Sequence, residues 1–120
     1  MAGADSFVDH LLELLAPLGE VQARRMFGGC GIFREGIMFA LVAEDTLYLK
    51  TDHESNDAFE QRDLPAFTYR RHDGKKITIS YRRCPDAALV RSSTLRPWAE
   101  RAWEAALRQA RARREKSSRP

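Results

Sequence analysis

VQARRMFGGCGIFREGIMFALVAEDTLYLK, residues 21–50, is the stretch that decides the fold. Val21 to Phe27 has the composition of a strand, and three glycines within Gly28-Gly29-Cys30-Gly31 predict a turn with positive φ or close backbone approach. Ile32 to Arg34 continues as a strand, and Glu35-Gly36 supplies a second tight turn. Ile37 to Val42 is nearly all apolar, the pattern of a central strand covered on both faces. Glu44-Asp45 turns the chain again. In Thr46 to Lys50, Leu47 and Leu49 share one face while Tyr48 and Lys50 share the other. Four strands joined by such short turns form an antiparallel meander.

Outward from this core, helices flank the strands. Phe7, Leu11, Leu15 and Leu18 recur at helical spacing, so Ser6 to Leu18 reads as a helix capped by Ser6 and ended by Pro17 and Gly19. Asp52 is expected to cap a short helix that runs to about Arg62. Phe67 to Arg71 and Ile77 to Arg82 read as a hairpin around His72-Asp73-Gly74. A short helical stretch follows Pro85. Thr94 is expected to cap the last helix, with Pro97 in its first turn and Leu95, Trp98, Ala102, Ala106 and Ala110 as the buried stripe. The predicted class is α+β: a two-layer sandwich whose antiparallel sheet of about six strands, a meander plus a hairpin, is packed by N-terminal and C-terminal helices. Residues 1–113 read as one domain and residues 114–120 as a basic flexible tail.

Composition narrows the function. The chain has 120 residues, 43% of them apolar and 31% charged, as in ordinary globular domains. No apolar run approaches the length needed to span a bilayer, and Met1 to Ser6 lacks the features of a signal peptide, so a cytoplasmic protein with no membrane partner is expected. The net charge of +3 is unevenly placed: Arg108, Arg111, Arg113, Arg114, Lys116 and Arg119 crowd the end of the chain against one acid, Glu115. The rest of the chain is slightly acidic, so the pI near 9.1 describes the tail rather than the body.

The motifs are sparse in chemistry. Cys30 and Cys84 belong to no paired motif, and His10, His53 and His72 are scattered, so neither a metal nor a cofactor is expected. The glycine run lacks the Lys and Ser/Thr of a phosphate-binding loop. Cys30 with a histidine, or Ser80, could act as a nucleophile, but neither sits in a recognisable context, and no catalytic residue is assigned. The better candidates are for binding. Arg24, Arg25, Met26, Phe27, Gly28 and Gly29 could hold an acidic peptide or phosphate, although turn chemistry alone also accounts for the glycines. Arg108, Arg111, Arg113 and Arg114 could meet nucleic-acid phosphates, or simply suit the negative end of a helix. Tyr48, Tyr69 and Tyr81 beside Lys50, Arg70 and Arg82 could stack bases, or serve as core residues of a strand.

Arg24-Arg25-Met26-Phe27-Gly28-Gly29 followed by Gly31 resembles the signature of the TfoX/Sxy family N-terminal domain. Phe39-Ala40, Leu47 to Asp52, Phe67-Thr68-Tyr69, Ser80-Tyr81, Pro85 and Trp98-Ala99 follow in family order, so the resemblance covers about residues 5 to 110. It implies helices packed on an antiparallel sheet, similar to secretion-chaperone-like folds. It further implies a role in regulating natural competence, where the full regulator acts with a cyclic-AMP receptor type activator. The full regulators carry a second, C-terminal domain, so a stand-alone form is expected here. Tyr81-Arg82 stands where relatives often have two adjacent aromatics. The resulting expectation is a non-catalytic regulatory module that binds another protein, such as a transcription activator. An accessory protein that meets nucleic acid through the Arg-rich helix is the alternative, and a small-molecule binder or enzyme is the third reading.

Overall fold

Local turn chemistry sets most of the architecture. The computed structural model describes residues 3–26 and 28–118, with side chains from 6 to 116. A first helix, α1 (Gly3–Leu15), leads through a single 3₁₀ turn into β1 (Val21–Met26), β2 (Gly29–Arg34), β3 (Ile37–Ala43) and β4 (Thr46–Lys50). Glu35 and Gly36 both take positive φ, 51° and 76°, as do Glu44 and Asp45 at 49° and 56°. Positive φ at both central residues matches the strand twist and makes each connection a two-residue hairpin. A short helix α2 (Asn56–Glu60), the hairpin β5 (Ala66–Arg70) and β6 (Lys76–Arg83), and the long helix α3 (Ser92–Ser118) complete the chain. The six strands form one antiparallel sheet in the order β1-β2-β3-β4-β6-β5.

The predicted α+β class and six-stranded antiparallel sheet are present, with helices from both chain ends packed on it. Ile32, Ala40, Val42, Leu47 and Leu49 on one sheet face meet Leu11 and Leu15 of α1 and Leu95, Ala99, Ala102 and Ala106 of α3. Small residues on α3 let it approach the strands closely, and the Phe39 and Trp103 rings meet edge to face at 5.9 Å. Below α3, Phe59 of α2 is fully buried against Trp98.

Several local expectations need correction. Gly29, Cys30 and Gly31 are strand residues of β2 rather than a turn: a Cβ at Gly29 would meet the Val42 backbone of β3, and one at Gly31 would meet the Met26 and Met38 sulfurs and the Phe33 ring. Ser6 lies inside α1, which begins at Gly3, and so does not cap it. The Asp52 carboxylate accepts the Glu54 and Ser55 N–H groups, so it caps a turn that precedes α2 instead of α2 itself. Thr94 lies within the first turn of α3, where its hydroxyl accepts the Arg91 N–H, and Pro97 falls in the second turn. Residues 114–118 continue α3 as helix, although the apolar stripe has ended.

Candidate functional site

The register separates the sheet into two chemically different faces. Arg24, Gly31, Leu41, Tyr48 and Arg83 stand directly across from one another on successive strands, so they share the face away from the core. By alternation Met26 and Phe33 join them, Met38 comes to the same face by pairing with Phe33 across a register shift, and Phe67 packs edge to face on Tyr48 at 4.9 Å. Met26, Phe33, Met38, Leu41, Tyr48 and Phe67 are all half-buried, and none belongs to the cluster under the helices. Together they make an apolar ledge rich in methionine and aromatic rings. Gly31 is what allows its centre to close. A side chain there would collide with Met26 Sδ, Met38 Sδ and Phe33 Cε1, all within 3 Å.

The predicted Arg24–Gly29 segment forms one rim of this ledge. Arg24 is exposed on edge strand β1, with its guanidinium 4.9 Å above the Phe33 ring. Arg25 pairs with Cys30 and leaves the strand on the opposite, helix-bearing face. The two arginines therefore do not act as one clamp. Met26 lies on the ledge, Gly28 is exposed with φ 79°, and Gly29 is half-buried. Phe27 lies outside the described residues.

The basic end of α3 is divided in its roles. Arg108 forks onto Asp52 at 2.6 and 2.9 Å and also reaches Glu54 at 3.0 Å. This pairing holds the Asp52 carboxyl down at about 2, the hydrogen bond from Arg108 being the main cause. Arg108 is thus a strut between α3 and the segment after β4. Arg113 lines a cleft beside the sheet, while Arg111 and Arg114 are exposed on the helix.

That cleft, of about 780 Å³, opens between the β2–β3 and β5–β6 hairpins and is bordered by α3. Lys50 and Tyr81, paired across β4 and β6, line it, and the Lys50 ammonium stands 5.1 Å from the Tyr81 ring centre. Burial, reinforced by the Arg113 charge, lowers the Lys50 pKa, with Asp52 opposing. Burial likewise pushes the Tyr81 phenol up to about 12. Reading Lys50 as an alternating polar strand residue missed this position. Nothing in a single sequence marks the last residue of a strand as buried.

Cys30 is half-buried in β2, and burial pushes the Cys84 thiol up to about 12, far from a reactive thiolate. His10, His53 and His72 are all exposed. Among the described residues, no cluster of His, Cys, Asp and Glu could hold a metal ion, and no helix is long and apolar enough to cross a membrane.

With this geometry in place, two comparisons with known proteins add to it. The family model of the TfoX N-terminal domain matches residues 13–106. The DNA transformation protein TfoX1 of Aliivibrio fischeri is 33% identical over 72 residues, which is 60% of this chain and 32% of that protein. The similarity therefore spans about a third of that relative's length.

Proposed function

This chain belongs to the TfoX N-terminal domain family, a competence-related family, and from that membership we propose that it is a non-catalytic regulatory module that docks another protein on the ledge of its sheet. The observation that carries this reading is the half-buried row Met26, Phe33, Met38, Leu41, Tyr48 and Phe67 outside the core. An apolar face of this kind is costly to leave in water and suits a partner surface. Methionine side chains adapt to varied contacts, and a rim arginine over an aromatic ring adds a charged anchor. The partner that fits is a protein with an apolar patch bordered by acidic groups, in keeping with a component of the transcription or competence apparatus.

The opposed directions of the two arginines supply the test. Tagged chain is used to capture partners from extracts of its own host, and the captured proteins are quantified for the wild type, Arg24→Glu and Arg25→Glu. Charge reversal at the rim of the ledge should cut capture by about tenfold or more, whereas Arg25→Glu should leave it nearly unchanged. Equal capture by all three chains, or recovery of nucleic acid alone, would overturn the reading.

A further inference from the structure

β4 is shorter than the strands on either side of it, and this opens the sheet. Its pairing with β3 begins at Ala40↔Leu49, and its pairing with β6 ends at Lys50↔Tyr81. One more bond, from the Thr51 N–H to the Ser80 carbonyl at 2.9 Å, closes the seam. Past that point Ile37 and Met38 pair only with β2, while Lys76 to Thr78 pair only with β5. The two hairpins diverge around the cleft, and Gln109, Ala110 and Arg113 of α3 border it.

Lys50 sits where the strands part and is only 6% exposed. No hydrogen bond or ion pair of its ammonium exists among the described residues; the Tyr81 ring is its neighbour. Asp52 lies two residues on, but its carboxylate is engaged by Arg108 and by the turn it caps. The ammonium opens onto the cleft and is not sealed in the interior, a second cation, Arg113, lines the same space, and no carboxylate is among the lining residues, so the lining favours an anion. Phe33, Met38 and Ile79 supply apolar walls, and Thr78 and Ser80 supply polar groups. The volume suits a small molecule rather than a lone ion.

We propose that this cleft is a binding site for a small organic anion, its carboxylate or phosphate held by Lys50 and Arg113 and its apolar body resting on Phe33, Met38 and Ile79. The cleft shares Phe33 and Met38 with the protein-docking ledge, but its cations, Lys50 and Arg113, are not the Arg24 of the rim, so variants at Lys50 and Arg113 test this proposal apart from the docking reading.

The test uses the purified chain titrated with benzoate, phenyl phosphate and neutral benzyl alcohol, followed by amide NMR. Saturable shifts should centre on Lys50, Ser80, Tyr81 and Gln109 for an anionic probe, with benzyl alcohol weaker by about tenfold or more. Whichever of benzoate and phenyl phosphate binds more tightly identifies the acid, and inorganic phosphate should compete if the acidic group dominates the contact. Lys50→Met keeps the side-chain length and should weaken the anion by about tenfold. Arg113→Met, at an exposed helix position that leaves the core untouched, should weaken it several-fold and serves if the first variant folds poorly. Equal affinity for the neutral probe, unchanged anion affinity in a folded variant, or no saturable shift at these amides would overturn the proposal.

Discussion

Gly29→Ala is expected to destabilise the domain by roughly 3 kcal/mol, while Gly28→Ala beside it costs only about 1 kcal/mol. The two glycines are adjacent but are required for different reasons. Gly28 has φ 79°, and nothing lies within 4 Å of where its Cβ would be. An alanine there meets only the modest strain of left-handed backbone. Gly29 has ordinary strand geometry, but its Cβ would lie far inside contact distance of the Val42 carbonyl oxygen. Backbone cannot step aside as a side-chain tip can, so β2 and β3 must separate where β2 begins. Urea unfolding followed by circular dichroism should show a lowered midpoint with an unchanged slope for both variants, and the larger change for Gly29→Ala. Equal midpoints would mean that β2 can shift here at little cost.

This pair also shows what a sequence can and cannot say about the fold. Glu35-Gly36, Glu44-Asp45 and Asp73-Gly74 are local signals, and each hairpin closes where its turn residues predict. The glycine run was legible as a demand for close backbone approach, but not as strand, because the backbone it must admit belongs to Val42, thirteen residues on. Sheet order is less local still. The chain leaves β4 through α2, and β6, not β5, returns beside β4. Of the candidate site, Arg24 was found through its motif, but its position over Phe33 depends on register. Arg108 reads in the sequence as one more basic residue on a helix end. Its role depends on Asp52, 56 residues away in the chain, and no periodicity links the two. Lys50 is illegible for a related reason: the cleft exists only because one strand is shorter than its neighbours.

Asp52→Ala should cost about 2 kcal/mol at neutral pH, because this one carboxylate serves both a turn and an ion pair. It accepts two backbone N–H groups and both arms of the Arg108 fork, with the two side chains 26% and 32% exposed. Asp52→Asn keeps an acceptor for the turn and should lose about 1 kcal/mol, after allowance for solvent screening. The pH dependence follows from the depressed carboxyl, about 2 in the folded chain against roughly 3.9 in an unfolded one. The folded state favours the ionised form, so this stability is complete above roughly pH 5 and fades as pH falls toward 2. Urea midpoints of wild type and Asp52→Asn should therefore differ at pH 7, keep roughly half of that gap near pH 3, and converge only below about pH 2. A constant gap would assign the effect to packing rather than charge. The same variant separates two accounts of the cleft. Deleting a negative charge near Lys50 should tighten an anion if electrostatics alone govern the site. If the Asp52–Arg108 strut holds Arg113 against the cleft, affinity should fall instead, although the net charge has become more positive. We expect the fall. Arg108 and Arg113 lie about one and a half helical turns apart on one rigid helix, so loosening the first displaces the second.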